Sequence, residues 1–509
     1  MKRLVLSCIF GLSLALALLA LLSESLPTHA YPTATARYVA TDGNDTGDCA
    51  TIAGRCRTIQ HAVSIANPSD EIWMAGGIYT GTGAAVVTIT KSITLYGGWD
   101  GATLGVRDPQ AYPTILDAQG TRQGVIVSGD IIVTLEGFTV TNGVAPIQGA
   151  GLYAYSANLT LRGMAFYSNV ISTTVTDNAY GGGAMVEGGT LRVEACRLSF
   201  NSAKSESAPS GGGLGISGTL QATVDNSVFQ DNDAWHGSGL YFWRNVAGRT
   251  PLVIRNSRFL DNGWGNSPGT ANGGYSGAIR VYRATAQIED NLFIHNQAVS
   301  GLGAVGVSYS DLILARNIIS DNTSNDNASG IWLLYVSPFT LTNNLIVGNG
   351  STYDWGLYQA VDIRRSSGQM LHNTIARNHN TYGISVSDEA TVALTNTILV
   401  SHTIGITVTT GSTATLEGTL WGSGAWANDA DWSGAGVIVT GTVNIWGDPA
   451  FVNPSGGDYH IGPGSAAINR GVDAGVTTDI DGDTRPLGGY DLGADEYIQR
   501  VYLPLVVRQ

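Results

Sequence analysis

Carboxylate, guanidinium and imidazole side chains occur close together between residues 354 and 379 of the 509-residue chain. Asp362 and Arg364 follow Asp354, and His372 and His379 come about one repeat later. Such a set could remove the proton beside the carboxylate of a uronate sugar, since it offers a base, a proton donor and an anion-binding cation. The alternative is that they are solvated residues on an outward face. Asp362, Arg364 and His372 are the candidate catalytic residues. A second group of the same residue types consists of Asp231, Asp233 and His236.

Aromatic residues recur at the same place in successive repeats of this chain. Flat rings spaced one repeat apart could stack on successive sugar rings, and neighbouring arginines could hold acidic groups. The alternative is that the rings stack on one another or lie under loops. The candidate carbohydrate-binding residues are Tyr241, Trp243, Arg280, Tyr282, Trp332 and Tyr358, accompanied by Tyr153, Arg244 and Arg283.

Alternating aspartates near the C-terminus form a candidate calcium site. Asp479, Asp481 and Asp483 could gather Ca²⁺, because carboxylate oxygens are its preferred ligands. No glutamate closes the loop at the place that an EF-hand requires, so the alternative is a turn-rich cap held by ion pairs of Arg485. Apart from this calcium, we expect the protein to require no cofactor.

A repeat that runs from about residue 140 to residue 410 carries most of these side chains. Its first half is a glycine followed by alternating apolar and exposed residues, as in 239–242. Its second half is an apolar residue followed three positions later by Asn, as in Phe259 with Asn262. The glycines lie 22 to 38 residues apart, and most steps are 26 to 32. A unit of this length holds three short strands and three corners, which predicts a parallel β-helix coil rather than a propeller blade of about 40 residues.

The repeated asparagine has a structural explanation, and we assign it no function. The apolar residue of each coil would stack on its counterpart about 4.8 Å away. At the corner, an Asn amide can bond to the next coil and tolerate a left-handed backbone. In residues 277–307 the apolar alternation shifts by one position relative to the glycine, which predicts a bulge or an altered corner. The asparagine series is Asn169, Asn201, Asn232, Asn262, Asn296, Asn322, Asn349 and Asn378.

The first thirty residues have the three parts of a secretory signal peptide. Lys2 and Arg3 precede an apolar run at 4–22, and a polar stretch ends at Ala30, after which we expect cleavage. The alternative is an uncleaved membrane anchor, because the run approaches the length of a spanning helix. No later segment is apolar enough to span a membrane. The formal charge of −14 argues against nucleic acid as a partner, since phosphate would be repelled.

Composition favours an exported all-β protein. The chain has 67 glycines, only 13% charged residues and almost no helix periodicity after the signal, which is typical of strands with many tight corners.

Six residues separate Cys49 from Cys56 across a glycine-containing turn, and an exported protein meets an oxidising environment. We therefore predict a disulfide between them, with metal binding as the alternative. Cys196 is left single, and we expect it in the core.

The front of the mature chain predicts a cap on the first coil. Residues 56–66 read as a short amphipathic helix, and strands are expected at 71–74, 86–90 and 92–96. A solenoid needs both ends covered, because an open coil exposes a sheet edge. Three sequence phrases occur in this region: Cys-Arg-Thr-Ile-Gln-His-Ala at 56–62, Ala-Gly-Gly-Ile-Tyr at 75–79 and Ile-Thr-Leu-Tyr-Gly-Gly-Trp at 93–99. With these phrases the chain resembles bacterial exported right-handed parallel β-helix proteins with the pectin-lyase-like fold, including surface proteins of the polymorphic outer-membrane type.

The rear of the chain resembles the closing module called choice-of-anchor Q. The similar phrases are Asp-Pro-Ala-Phe at 448–451, Asp-Tyr-His-Ile at 458–461 and Asp-Leu-Gly-Ala-Asp-Glu-Tyr at 491–497. The resemblance spans nearly the whole mature chain and implies fold and export, without shared catalytic residues. The last nine residues are similar to tails of other exported bacterial proteins, and we expect a sorting signal or a last strand there. The predicted divisions are a signal peptide at 1–30, a cap and first coils at 31–115, β-helix repeats at 116–412, final coils and closing module at 413–500 and a tail at 501–509.

The preferred function is non-catalytic binding. Known β-helix enzymes of acidic polysaccharides use clustered aspartates with calcium, an arginine base or paired carboxylates, and the motifs of polygalacturonase-like hydrolases and calcium-dependent pectate lyases do not occur here. We therefore expect a monomeric extracellular or cell-surface protein that binds carbohydrate or another cell-surface partner along one sheet face. The alternatives are a diverged polysaccharide lyase or glycoside hydrolase acting on an acidic polysaccharide, and a spacer rod.

Overall fold

Stacked parallel strands form a right-handed parallel β-helix, as the repeat predicts. The computed structural model describes residues 34–498 apart from 173–178, 206–208, 245–247, 264–276, 299–300, 326–327, 352–357 and 379–380. The predicted signal peptide and the tail at 501–509 lie outside the described residues, as do Asp354 and His379.

One strand of each coil belongs to a 13-stranded parallel sheet, which we call the narrow sheet. Its strands alternate between apolar side chains in the core and polar or aromatic side chains on the outer face, as the pattern Leu240–Trp243 illustrates. The strands of the narrow sheet are Ala85–Ile89, Gln123–Ser128, Leu152–Tyr155, Ala184–Glu187, Leu214–Ser217, Leu240–Trp243, Ile279–Tyr282, Val305–Ser308, Ala328–Leu334, Tyr358–Arg364, Thr381–Ser387, Ile404–Val408 and Ala430–Ser433.

After a corner, each coil continues into a 27-stranded sheet, the wide sheet, which bends between a first and a second leg. The first leg consists of Ala36–Val39, Glu71–Ala75, Ile93–Trp99, Ile132–Glu136, Asn158–Arg162, Thr190–Glu194, Gln221–Asp225, Thr250–Arg255, Ala284–Glu289, Asp311–Ala315, Phe339–Thr342, Ser367–Leu371, Thr391–Val400, Thr413–Leu420 and Val437–Thr440. The second leg consists of Gly77–Tyr79, Thr114–Asp117, Thr139–Thr141, Ala165–Tyr167, Arg197–Ser199, Val228–Gln230, Arg258–Leu260, Leu292–Ile294, Ile318–Ser320, Leu345–Val347, Thr374–Ala376 and Asn444–Ile445.

Short elements complete the chain. Two small parallel sheets follow the second leg, and one antiparallel pair lies near the C-terminus. These strands are Val144–Ala145, Val170–Ser172 and Ser202–Lys204, then Gln297–Ala298 and Thr323–Ser324, then Phe451–Asn453 and Asp458–Ile461. The helices are the α-helix Ile59–Ile65 and the 3₁₀ turns Gly424–Trp426 and Pro454–Gly456.

The core contains a column of stacked apolar side chains from the second leg. The Phe229 and Phe259 rings are nearly parallel with centroids 4.7 Å apart, and Phe293 follows at 5.0 Å. All three rings are fully buried, and burying such a side chain contributes roughly 1.5–3 kcal/mol. The predicted stacking of the apolar position from coil to coil is therefore confirmed.

The asparagine series forms a buried hydrogen-bond ladder, as predicted. Asn262 Nδ2 donates to Asn296 Oδ1 at 2.9 Å and to the Phe229 carbonyl at 2.9 Å, while Asn262 Oδ1 accepts from Asn232 Nδ2 at 3.0 Å. A second ladder, five residues earlier in each coil, is not predicted by the sequence analysis. It consists of Ser227, Ser257, Asn291, Asn317, Asn344 and Asn373.

The predicted N-terminal helix is present. The helix Ile59–Ile65 buries Ile59, Ala62 and Val63, and the Thr58 hydroxyl accepts a hydrogen bond from the His61 amide. Cys49 and Cys56 form the predicted disulfide. Cys196 is buried, and its amide donates to Ser227 at the head of the second ladder.

The expected bulge in residues 277–307 is absent from the described part of the narrow sheet. The register runs without a shift from Leu240 to Ile279 and from Ile279 to Val305. Ala278 and Ala304 occupy the strand position that Gly239 has in its own coil. In these two coils the glycine therefore lies one residue earlier, while the buried apolar positions stay aligned with those of the neighbouring coils. A register shift occurs instead between the strands Ala328–Leu334 and Tyr358–Arg364.

Residues 448–498, here called the C-terminal module, lie against the side of the coils. Apolar residues of the module, including Phe451 and Leu492, share a buried cluster with Leu345 and Ile398 of the wide sheet. The Asn343 amide donates to the Thr478 carbonyl at 2.7 Å. The module therefore covers the outer face of the second leg over several coils.

Candidate functional site

The outer face of the narrow sheet carries a continuous row of candidate residues. Strand pairing places Tyr241 beside Arg280, Arg280 beside Gly306, Gly306 beside Trp332 and Trp332 beside Asp362. We call these five residues the outer row. A parallel row two residues later in each strand contains Trp243, Tyr282, Ser308, Leu334 and Arg364. Candidates that the sequence analysis placed in two separate groups thus share one surface.

Arg280 reaches along the outer row to Trp332, two coils away. Its guanidinium carbon lies 4.5 Å from the centre of the Trp332 ring, which is the distance of a cation–π contact. The guanidinium passes over Gly306, where an added Cβ would lie 2.3 Å from Leu302 Cδ1 and 3.2 Å from Arg280 Nη1. Glycine at this position therefore allows Arg280 and Trp332 to meet.

The Arg280 guanidinium is buried without an acidic partner. Burial lowers its pKa to about 10, and the Tyr241 and Tyr282 hydroxyl groups oppose that shift. Nη2 donates to the Ser308 hydroxyl at 3.3 Å, whereas Nη1 has no hydrogen-bond partner. Among the described residues, no carboxylate forms an ion pair with Arg280. A buried cation in this condition is costly to the fold.

Two further polar atoms of the outer row are buried and partnerless. Asp362 is fully buried; its Oδ2 accepts from Arg364 Nε at 2.7 Å, but Oδ1 has no partner. Burial raises the pKa of Asp362 to about 6, although the Arg364 charge opposes this. Trp332 Nε1 also lacks a partner. More than nine in ten buried polar groups in proteins are hydrogen-bonded, so three such atoms in one row require an explanation.

The aromatic candidates near Arg280 pack mainly on one another. Tyr241 stacks on Trp243 with centroids 4.9 Å apart, and Trp243 stacks on Tyr180 at 4.5 Å. Burial and the Arg280 charge lower the pKa of His236 to about 4, and His236 stacks on Tyr241. Burial raises the pKa of Tyr241 to about 12. These rings therefore stack on one another beside Arg280, which is the alternative left open by the sequence.

The remaining aromatic candidates are placed less favourably. Tyr282 lies between the Arg283 guanidinium, 5.1 Å from its ring, and Tyr309, whose ring centroid is 5.2 Å away. Tyr358 is only 7% exposed and offers little ring surface to a ligand.

The structure does not place His372 with Asp362 and Arg364. The chain turns a corner between Arg364 and Ser367, so His372 follows a strand of the wide sheet instead. There it is fully buried, accepts from Asn396 Nδ2 at 2.9 Å and contacts Arg485 Nη1 of the C-terminal module. Burial, and then the Arg485 charge, lower its pKa to about 3. His372 therefore belongs to the module's docking surface.

The second acidic and imidazole group is also divided. Burial and neighbouring Asp261 raise the pKa of Asp231, which lies at a corner of the wide sheet. Asp233 is 3.9 Å from Lys204, whereas His236 stacks on Tyr241 of the narrow sheet.

The three aspartates of the predicted calcium site point to different partners. Asp479 is fully buried, and its oxygens accept from the amides of Asp481, Asp483 and Glu496. Arg485 is buried beside Glu496 at 3.5 Å, in agreement with the alternative of a cap held by this arginine. Asp481 instead contacts His460 at 2.7 Å.

Comparisons with known proteins bear on the fold. The family model described as "Right handed beta helix region" matches residues 248–420. No curated protein matches the chain. The pectate lyase Pel9A is a similar solved structure, with 15% identity over 91% of this chain and 96% of that one and a TM-score of 0.38.

Two other solved structures are similar at lower identity. The periplasmic alginate epimerase AlgG has 11% identity, with 74% of this chain and 77% of that one covered and a TM-score of 0.37. The Streptococcus pneumoniae surface protein and adhesin PfbA has 11% identity, with 77% and 94% covered and a TM-score of 0.23. Identities and TM-scores this low say nothing about the ligand of this chain. Within the described ranges, no helix is long and apolar enough to cross a membrane.

Proposed function

We propose that this chain is an exported or cell-surface protein that binds an acidic carbohydrate on the outer face of its narrow sheet. The observation that carries the proposal is the contact between Arg280 and Trp332 in the outer row, two partly exposed side chains of which Arg280 has no acidic partner among the described residues. A largely buried cation without an acidic partner is costly to the fold, so its retention favours an anionic ligand. The N-terminal signal supports export.

The chemistry of this pair favours a sugar acid. Arg280 Nη1 and Trp332 Nε1 are donors and suit a carboxylate or another acidic group. Arg364 in the parallel row is 34% exposed and adds a second guanidinium, whereas Asp362 is fully buried and does not reach the outer surface. A ligand that offers an anionic group matches this set, whereas an apolar ligand does not.

Binding without turnover is the preferred form of this function. Arg280 is held by the Trp332 ring, and His372 lies in the module's docking surface. A diverged polysaccharide lyase or hydrolase remains the second candidate. Asp362 favours it, because a carboxyl with a pKa of about 6 can exchange a proton near neutral pH.

A matched pair of tryptophan variants tests the binding proposal. Trp332→Phe keeps the ring beneath Arg280 but removes Nε1, and Trp446→Phe changes a 55% exposed tryptophan elsewhere on the chain. Residues 31–509 are assayed for retention on immobilised polygalacturonate and alginate and on neutral dextran. We expect wild type and Trp446→Phe to bind only the acidic polymers, and Trp332→Phe to bind them about 10- to 100-fold more weakly, since one hydrogen bond to a charged group is worth about 1.5–3 kcal/mol.

The same incubations distinguish the enzyme alternative. Unsaturated products or new reducing ends that disappear in Asp362→Asn would make this chain a lyase or hydrolase. Equal binding of wild type and Trp332→Phe, or no binding to any acidic polymer with or without Ca²⁺, would overturn the proposed site.

A further inference from the structure

His460 in the C-terminal module lies between two carboxylates. Its Nδ1 is 2.6 Å from Asp458 Oδ1, and its Nε2 is 2.7 Å from Asp481 Oδ2. Asp495 approaches from a third side. One ligand atom from each of His460, Asp481 and Asp495 lies within 4.8 Å of the other two. Three chain segments that are distant in sequence therefore converge on one point.

Asp495 is the most buried of these three residues. It is only 8% exposed, and its Oδ2 accepts from the Ile461 amide at 2.7 Å. No described residue donates to its other oxygen. A carboxylate buried to this degree ordinarily pairs with a cation or neutralises. His460 contacts Asp458 and Asp481 and its charge also acts on Asp495, so one imidazole faces three carboxylates.

The neighbouring arginine does not supply the missing positive charge. A cavity of about 380 Å³ opens beside His460, Asp481 and Asp495, between the module and the coils, and Arg316 lines its far wall. Arg316 is engaged there by Asp290 at 2.7 Å and by Glu289 at 3.5 Å. The cavity is large enough for water molecules that could complete the coordination of an ion.

We propose that His460, Asp481 and Asp495 bind a divalent transition-metal ion, with Zn²⁺ as the fitting probe. One imidazole nitrogen and two carboxylate oxygens are a donor set that zinc accepts, with water in the fourth position. Calcium prefers oxygen ligands alone, and the histidine therefore disfavours it. This site shares only Asp481 with the calcium site that the sequence predicted.

The surrounding residues suit this role. Asp458 accepts from His460 Nδ1 and would leave Nε2 as the ligand atom, which is the usual carboxylate support of a metal-binding histidine. On binding, the proton between Nε2 and Asp481 leaves to solvent. The two atoms must then separate from 2.7 Å to about 3.4 Å, the edge of a tetrahedron with bonds of about 2.1 Å. The ion would join the strand Asp458–Ile461 to residues 481 and 495.

Zinc binding by the metal-free mature chain tests the proposal. Equilibrium dialysis and calorimetry with Zn²⁺ are run on wild type, His460→Ala, Asp495→Asn and Asp458→Asn. The control is His295→Ala, because His295 is an exposed histidine 3.6 Å from Asp261 and lies outside the module. Circular dichroism confirms that each variant is folded.

We expect one Zn²⁺ per wild-type chain and per control chain, with a higher unfolding midpoint in the presence of the ion. His460→Ala and Asp495→Asn should lose this binding, and Asp458→Asn should weaken it about 10- to 100-fold. Absence of stoichiometric binding in wild type, or unchanged binding in His460→Ala, would overturn the proposal. Tighter binding of Ca²⁺ than of Zn²⁺ by wild type would also overturn it.

Discussion

Replacing Arg280 by Met separates a ligand-binding role from a structural one. Methionine fills similar space over Trp332 but removes the buried charge. The lowering of the Arg280 pKa from 12.5 to about 10 corresponds to about 3 kcal/mol against the charged form. Loss of the cation–π contact, about 0.5–2 kcal/mol, and of the Ser308 hydrogen bond, about 1 kcal/mol, acts in the opposite direction. The net result is a free energy of unfolding that is unchanged or about 1 kcal/mol higher.

The same substitution should weaken ligand binding. A hydrogen bond between the guanidinium and an acidic sugar contributes about 1.5–3 kcal/mol, so we expect affinity to fall about 10- to 100-fold. Urea unfolding gives the stability, and calorimetric titration with oligogalacturonate gives the affinity. Arg255→Met is the control, because Arg255 pairs with Asp225 on the wide sheet at 2.8 Å, away from the outer row. An Arg280→Met protein that is clearly less stable yet binds as wild type would refute the reasoning.

Three further variants test other parts of the structure. Asn296→Ala leaves the backbone and side-chain amides of Asn262 without an acceptor. The free energy of unfolding, measured in urea, should fall by about 3–5 kcal/mol, and a loss below about 1 kcal/mol would contradict a continuous ladder. Gly306→Ala places a Cβ 3.2 Å from Arg280 Nη1, so affinity for oligogalacturonate should fall while the circular dichroism spectrum stays unchanged. Unaltered affinity would show that the position of the Arg280 guanidinium does not matter for ligand binding. Burial lowers the pKa of His402 to about 4 in the folded protein. Between about pH 6.5 and 4 the unfolded chain therefore binds more protons than the folded one, so the free energy of unfolding decreases as pH falls, by up to about 3 kcal/mol. In His402→Asn the fall in unfolding temperature over this range should be smaller than in wild type, and an identical fall would exclude this histidine as a cause.

The fold could be predicted because two markers repeat in phase along the chain. The glycine-led strand and the Asn corner each recur once per coil, and a period-2 alternation fixes which side chains enter the core. The second ladder carried a usable signal as well: Asn291, Asn317, Asn344 and Asn373 each precede an asparagine of the first ladder by five residues. Spacing of this kind is local, and the sequence displays it directly.

The candidate site could be predicted only in part. Tyr241, Arg280, Trp332 and Asp362 fall in register because they share a strand position, which the sequence shows. The contact between Arg280 and Trp332 depends on Gly306 between them, and partnerless atoms depend on burial by neighbouring coils. Neither property is visible in one coil alone.

His372 and the C-terminal aspartates show a different limit. Seven residues separate His372 from Arg364, but a corner between them sends the two side chains to different sheets. Asp479 is used by backbone amides of its own turn, while Asp481 meets His460 from a distant strand. Residue type and short sequence spacing do not reveal which distant residue a side chain will contact.

Titration of the mature wild-type chain and of Arg280→Met with oligogalacturonate, and with neutral oligosaccharide of equal length, tests the central claim most directly. The account predicts that wild type binds the acidic oligosaccharide alone and that Arg280→Met, folded and at least as stable, binds it at least 10-fold more weakly. Equal binding of the two proteins, or equal binding of the acidic and neutral sugars, would contradict it.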